Sequence, residues 1–444
     1  RTLAWNGIQV LEAGASFQRG GRTFPAGSFV VPVRQPAGYL VRNLLDPEVP
    51  MDEDFVELQR ERRAQRLPDQ IYDVTAWNVA FLWDVESVGV SGGPPSDARP
   101  VERVPTGPLF AGFEGVMRGG QADPASAASA PALPAAQVGW LLPWNTAAAQ
   151  VAAGALGEGI RLHAAGAPFT LEGRDFGTGT LLARAGELSS EERTRLAALA
   201  AGAGAEVVAV NTAFVDAGMS LGSRQMRSLR APRILLLWDA PTSSLSAGWA
   251  RWVLEQRYGQ HATVVRGGSF GRTDLSRYDV IVLPSGNYGG TLAGGNLDRL
   301  RRWVQDGGTL VTLAEATRWA AGEGVGLLAT TAEERYREGR PSQGQPIDLL
   351  EAVTPGREAP EPVSGAILRA EFDADHPLAA GSGGRMGVMV AGSRVFTPLT
   401  LDRGTNVGVY APLDELVMSG IVWEEARPQL AQKAFLMHQP LGRG

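Results

Sequence analysis

Three short stretches place polar side chains directly after all-apolar runs: Asp239 after "ILLLW", "PSGNYGG" (284–290) after "VIVL", and "AEAT" (314–317) after "TLVTL". If the runs are strands of an open parallel sheet, ligands sit beyond their carboxyl ends. Asp239, Ser285, Asn287 and Glu315 are therefore expected to converge on one crevice, for a sugar or small peptide. Asp239 and Glu315 are carboxylates, the residue type an acid/base pair needs. Ser285, Asn287 and the glycines are equally the residues that turn a chain and cap the next helix. A nucleophile elbow needs Ser or Cys at a tight strand-to-helix turn. The turn after Leu313 offers Glu315 instead, so a covalent acyl-enzyme is not expected there.

Other chemistries are constrained by residue type. The four histidines, His163, His261, His376 and His438, are dispersed one per element, and no HExxH occurs. A catalytic zinc takes three protein ligands, so each histidine is read as structural and no metal site is expected in this chain. In "DADHPLAAG", His376 is expected to end a strand, with Asp373 or Asp375 as its partner. The chain has no cysteine, which removes thiol nucleophiles, Cys-based zinc sites and disulfides. Lys433 is the one lysine among 41 basic residues, leaving little scope for a Schiff base. Trp77 and Trp83 could stack on a ligand, but are expected to be core aromatics. No cofactor is expected.

The elements that must hold these residues show a clear rhythm from Arg233 onward. Strands Ile234–Trp238, Ala262–Arg266, Val280–Leu283 and Thr309–Leu313 alternate with helices near Leu245–Tyr258 and Leu297–Val304. Short apolar strands between amphipathic helices indicate a parallel sheet covered on both faces. Further β segments are expected at Ala366–Phe372, Arg394–Pro398, Val407–Tyr410 and Leu416–Trp423, with a polar stretch over 321–362.

Upstream lies an internal repeat. Residues 7–31 align without a gap on residues 159–183, an offset of 152, with ten of 25 positions identical, among them Ile8/Ile160, Phe17/Phe169, Arg22/Arg174 and Phe24/Phe176. The second copy adds an apolar run, Val138–Leu142, an N-cap, Asn145, and a helix, Thr146–Leu156. After its hairpin, Ser189 and Glu192 have capping-box spacing before a helix and the strand Glu206–Val210. Arg1 aligns with Ala153, so the first copy lacks its opening strand and most of its helix; a piece of a longer polypeptide is expected. The helical stretch "MDEDFVELQRERRAQRLPD" (51–69) carries acids first and arginines later, matching the helix dipole, and reads as a solvated helix.

The divisions that follow are 1–90, a truncated first α/β module; 91–136, a Pro/Ala/Gly-rich linker; 137–229, a second α/β module; and 230–444, an α/β domain with a β-rich extension. Gly and Pro supply 85 of 444 residues, well above the roughly 12% average. A net charge of −6 argues against a nucleic-acid partner, because phosphate neutralisation needs a basic face. No apolar run approaches a membrane-spanning length, roughly 18 residues or more.

The stretch 24–83, with "PAGSFVV", "QP", "LLDPEVPMD" and "LPDQIYDVTAW", resembles the segment that follows the catalytic domain in large bacterial zinc carboxypeptidase-like proteins, relatives of carboxypeptidase A. From Arg233 the chain resembles their C-terminal class I glutamine-amidotransferase-like domain, a flavodoxin-like doubly wound sheet; "HPLAAG" and "LVMSGIVWEE" fit it. The resemblance implies a fold of α/β class and a chain truncated at its C-terminus. It also implies an exported protein, periplasmic or extracellular, whose zinc belongs to a catalytic domain outside this chain. That catalytic domain would be the chief partner. The family's zinc ligands, its catalytic Glu and the amidotransferase Cys have no counterpart here. The expected function is a non-catalytic accessory region of a hydrolase that removes C-terminal residues from peptides or peptidoglycan-like substrates. The alternatives are a self-sufficient sugar- or peptide-binding module, and an enzyme using Glu315 and Asp239 as acid and base.

Overall fold

The computed structural model describes residues 2–48, 50–65, 67–71, 74–101, 132–335 and 359–444. A short helix, Thr2–Trp5, leads into β1 (Leu11–Glu12), β2 (Phe17–Arg19), β3 (Arg22–Phe24) and β4 (Phe29–Val30). Helices Gly38–Leu45, Glu53–Ala64 and Val79–Leu82 follow, then β5 (Arg99–Pro100), which pairs with β1. Thus the first part of the expected linker, 91–136, joins a sheet; residues 102–131 lie outside the described residues.

The second module contains β6 (Gly139–Leu142), β7 (His163–Ala165), β8 (Phe169–Leu171), β9 (Arg174–Phe176), β10 (Leu181–Arg184), β11 (Val208–Val210), β12 (Ala217–Gly218) and β13 (Met226–Ser228), with helices Thr146–Gly157 and Ser190–Ala203. Its geometry repeats the first at the same offset. Leu11 pairs with Val30 as His163 pairs with Leu182. Phe17 stacks on Phe24 and Phe169 on Phe176, each at 5.1 Å between centroids. Both hairpins turn on two residues of positive φ, Gly20-Gly21 and Glu172-Gly173, the twist that two-residue hairpins favour.

The five-stranded sheet β11-β6-β10-β7-β13 is antiparallel at every pairing. Trp140 and Leu142 point to the two helices, meeting Ala148, Val151, Leu196 and Ala200. Leu141 and Leu182 point the other way, onto Phe169, Phe176 and Leu221 of the hairpin layer. All four β6 residues are therefore buried. Asn145 caps the first helix by accepting from the Ala148 amide, and Ser189 with Glu192 forms the reciprocal capping box.

The third module has β14 (Ile234–Trp238), β15 (Ala262–Arg266), β16 (Val280–Leu283) and β17 (Thr309–Thr312), all parallel, in the order β15-β14-β16-β17. Leu235, Leu237, Ile281 and Leu283 pack on the Gly295–Gln305 helix side, against Phe270, Leu297 and Leu300. Ile234, Leu236 and Val282 face a thinner layer made by Trp238, Ala250 and Leu254. The helix expected over 245–258 is α-helical at Ser244–Trp252 and passes into a π-turn at Val253–Arg257.

Beyond it β18 (Val363–Phe372), β19 (Arg385–Gly392), β20 (Thr405–Tyr410), β21 (Val417–Ser419) and β22 (Ala434–His438) form an antiparallel sheet, β19-β18-β20-β22, with β21 also on β18. The expected strand at Arg394–Pro398 contributes one isolated bridge, Phe396 to Ala332. Two strands, β19 and β22, were not expected. Of the expected polar stretch 321–362, residues 336–358 lie outside the described residues.

The first segment docks onto this last sheet. The Thr75 and Ala76 amides donate to the Gly365 carbonyl, at 2.8 and 3.0 Å. The Ile421 amide donates to the Thr75 hydroxyl at 2.8 Å. Gly420 must be glycine: it has φ +89, and a Cβ there would sit 2.7 Å from that hydroxyl. Arg63, on the Glu53–Ala64 helix, pairs with Asp69, Glu361 and Glu425, and its guanidinium lies 4.7 Å from the Trp423 ring centroid. The helix read as solvated therefore has one buried end, because Arg63, Asp69 and Glu361 are 13%, 8% and 11% exposed at their side chains.

Candidate functional site

The loops after β14, β16 and β17 lie at the carboxyl edge of the parallel sheet, and the first two are tied together. Thr242 bridges to Gly286. The Ser243 amide donates to the Ser285 carbonyl at 2.7 Å, and the Ser285 amide donates to the Ser246 hydroxyl at 2.9 Å. A Cβ on Gly286 would lie 2.6 Å from the Pro241 carbonyl, so this close approach requires glycine. The buried Tyr288 hydroxyl donates to the Pro284 carbonyl at 2.8 Å, so the Thr242 hydroxyl, 3.1 Å away, donates to it in turn. Burial raises the Tyr288 pKa because the phenolate loses its hydration.

Each residue singled out in the sequence has a defined place. Ser285 is held by its backbone in the loop-to-loop clip. Asn287 is exposed and accepts from the Gly289 amide at 3.2 Å, an Asx-turn. Asp239, at φ +65, accepts from the following Ala240 amide at 2.9 Å and faces Arg266 at 4.0 Å. Glu315 opens the Glu315–Ala320 helix and faces Arg394 at 3.5 Å, both side chains 41% exposed. The structure thus brings the Asp239 and Ser285 loops together. Glu315 follows β17, which is separated from β14 by β16, so the two carboxylate-bearing loops start about 10 Å apart.

The turn into the Glu315 helix has a further feature. Ala314 has φ +52 and ψ −112, a region an L-residue occupies only under strain. Its amide-linked neighbour Leu313 donates to the Leu283 carbonyl at 3.0 Å, which fixes the turn at the sheet edge. This is strand, sharp strained turn and helix, the geometry that presents a nucleophile in hydrolases with an elbow. Here the side chain presented is a methyl group. Residue type alone gave no signal of this, since alanine is unremarkable in sequence and only the dihedral reveals the turn.

The histidines also differ from expectation in part. His163 is paired with Glu187 at 2.9 Å, and that hydrogen bond holds the Glu187 carboxyl below its ordinary pKa. The side-chain partner of His376 is His438 rather than Asp373 or Asp375: Nε2 and Nδ1 are 3.0 Å apart. Because His376 Nδ1 accepts from the Leu378 amide at 3.2 Å, its Nε2 carries the proton and donates to His438 Nδ1. His376 lies in the turn after β18 and His438 at the end of β22, and the strand order β18-β20-β22 brings them together across 62 positions. Burial and the neighbouring imidazole lower the His376 pKa. Among the described residues, no group of three His, Asp or Glu is placed to hold a metal ion.

Trp77 and Trp83 are not core residues: they are 47% and 51% exposed. Trp83 instead lies under the Arg257 guanidinium at 5.2 Å, and the Arg257 carbonyl accepts from Gln150 at 3.0 Å. One arginine thereby touches both upstream segments. Two depressions, of about 500 and 530 Å³, lie along the Ser190–Ala203 helix rather than at the sheet edge. The first is floored by Trp140, whose indole donates to the Pro134 carbonyl at 2.8 Å. No helix among the described residues is long and apolar enough to cross a membrane.

No family model matches the chain, and no curated protein matches it. Among solved structures, the crystal structure of beta-galactosidase from Bifidobacterium adolescentis is 16% identical, with a TM-score of 0.18, covering 48% of this chain and 88% of that chain. A superposition of that quality carries no argument about fold or function.

Proposed function

We propose that this chain is a non-catalytic accessory region of an exported zinc carboxypeptidase-like hydrolase, whose catalytic domain removes C-terminal residues from peptides or peptidoglycan-like substrates. The observation that carries the non-catalytic reading is Ala314. An elbow stands at the end of β17, strained as a nucleophile-bearing turn is, and holds a methyl group where the attacking atom would be. With no cysteine anywhere in the chain, amidotransferase chemistry has no thiol to use.

Two further points support the assignment. The parallel order β15-β14-β16-β17 corresponds to 2-1-3-4 of a flavodoxin-like sheet, as expected of an amidotransferase-like domain. The stretches that carry the resemblance also meet in space: Thr75 of "LPDQIYDVTAW" bonds Ile421 of "LVMSGIVWEE", and Asp69 accepts from the Trp423 indole at 3.0 Å. In this reading the two stretches form a scaffold joint, through which the region positions or covers the catalytic domain.

The test is an assay of the purified chain with added zinc against a panel of peptides and muropeptides. No release of C-terminal residues is expected from the chain alone, and binding is expected to the catalytic domain encoded with it. Hydrolysis by the chain itself, abolished by Glu315→Gln, would sink the accessory reading and favour the acid/base alternative.

A further inference from the structure

The two copies of the repeat differ in what borders their equivalent strands. At the offset of 152, β1 corresponds to β7 and β4 to β10, while β5 takes the place of β13, so the orders β4-β1-β5 and β10-β7-β13 coincide. In the second copy β10 has a further antiparallel neighbour, β6, in register from Leu181 opposite Leu142 to Arg184 opposite Gly139. Among the described residues, β4 has no strand on that side. The side chains record the difference. Leu181 and Ala185 are 0% and 7% exposed, whereas Phe29 and Val33, at the equivalent places, are 68% and 48% exposed. The backbone records it too: the Ala185 amide donates to the Val138 carbonyl at 2.9 Å, and the Val33 amide has no acceptor among the described residues. An apolar strand edge with unpaired backbone groups is a template for another strand.

We propose that the outer edge of β4 is an acceptor for an apolar strand of a partner polypeptide, which adds antiparallel opposite Phe29–Val33 as β6 adds to β10. The second copy specifies the chemistry of that strand. Its β6 reads Gly-Trp-Leu-Leu and is buried throughout, so a charged residue has no place in it. A Cβ on Gly139 would lie 2.2 Å from the Ala183 carbonyl; the incoming strand therefore needs glycine opposite Pro32, which stands where Arg184 does. Pro32 itself is no obstacle. Successive residues of an antiparallel strand turn their amides to opposite sides, so the outward amides of β4 and its continuation are those of Phe29, Val31 and Val33, and the missing N–H of Pro32 faces β1. Beyond β6, Asn145 turns the chain into a helix whose Ala148, Val151 and Ala152 share one core with Leu181. A partner that continues into a helix of small residues would cover Phe29 in the same way. Main-chain bonds along the edge and burial of side chains beside it are the mode of β-strand addition. This inference rests on the repeat and does not depend on the accessory reading.

The probe is a synthetic peptide of residues 137–153, QVGWLLPWNTAAAQVAA, which holds the strand and helix that border β10 and ends where the alignment reaches Arg1. Added to the full chain, it is expected to bind saturably by isothermal titration calorimetry. At saturation it should slow hydrogen exchange at the Phe29, Val31 and Val33 amides by about tenfold or more. A peptide carrying Gly139→Val is expected not to bind, because its side chain would meet the strand it must pair with. Phe29→Glu in the chain should weaken binding by about tenfold or more, since the incoming segment would bury a charge. Phe29 is exposed in the chain alone, so this variant is expected to keep the parent circular dichroism; the Gly139→Val peptide tests the same contact with the chain unaltered. No binding at hundreds of micromolar peptide overturns the proposal. So does binding indifferent to Gly139→Val or to Phe29→Glu, or protection that changes at 181–184 instead, which would show the peptide displacing β6 from β10.

Discussion

Ala314 holds a left-handed conformation that costs an L-residue on the order of 1–3 kcal/mol, so something must over-determine it. The Leu313-to-Leu283 bond at the sheet edge, and the helix that begins at Glu315, do so. Ala314→Gly should therefore stabilise the chain by about 1 kcal/mol, measured by urea unfolding. A neutral or destabilising result would mean that the methyl group makes contacts outweighing the strain. At the opposite edge of the sheet, Asp279 receives two bonds of 3.0 Å from the Arg233 guanidinium and one of 3.0 Å from its amide. The hydrogen bonds from Arg233 lower its pKa to about 2. Since the unfolded carboxyl titrates near 3.9, this pairing contributes stability above about pH 4 that is lost as pH falls through about 2. Asp279→Asn should flatten the stability profile in that window and leave its shape near neutrality unchanged, as read from melts across a pH series.

The Glu53–Ala64 helix shows how an element's role depends on what it is set against. Asp52 caps it by accepting from the Phe55 amide at 3.0 Å, and acids lead and arginines trail, so the sequence marks it as a helix. Its docking rests on Arg63, whose three carboxylate partners include Glu361 and Glu425, hundreds of positions away. Removing one member of a buried ion cluster leaves uncompensated charge and costs about 3–5 kcal/mol. Arg63→Ala should lose about 3 kcal/mol and reduce hydrogen-exchange protection at Thr75, Ala76 and Ile421, the amides of the same joint. Unchanged protection there would show that the joint holds without the arginine.

Across the whole molecule, the first segment, the parallel sheet and the last antiparallel sheet are not a simple string of units. Residues 75 and 76 bond to β18 in a sheet built from residues 363–438, and Arg257 touches both upstream segments. Single-module excisions of residues 1–90 or 230–444 should both expose the surfaces of this joint. Each is expected to melt at a lower temperature than the full chain, and equal melting temperatures would show that the joint contributes nothing.

Local pattern determined the elements whose stability is local or whose burial is uniform. The apolar runs 234–238 and 280–283 are strands to the residue, because a strand covered on both faces has no polar position to blur its ends; 262–266 is also a strand to the residue, although it is a largely exposed edge strand. The repeat likewise predicted matching hairpins, since a two-residue turn and its flanking pairs fix register by themselves. Strand direction in the second module was not legible, because alternating strands and helices are compatible with either pairing until the partners are known. Nor were β19 and β22, whose half-buried patterns depend on neighbours far along the chain. The candidate site divides in the same way. Asp239, Ser285, Asn287 and Glu315 could be assigned to strand ends from sequence. The separation of the two carboxylates, the strained turn at Ala314 and the pairing of His376 with His438 are decided by tertiary structure alone, because each depends on contacts between residues that the sequence keeps apart.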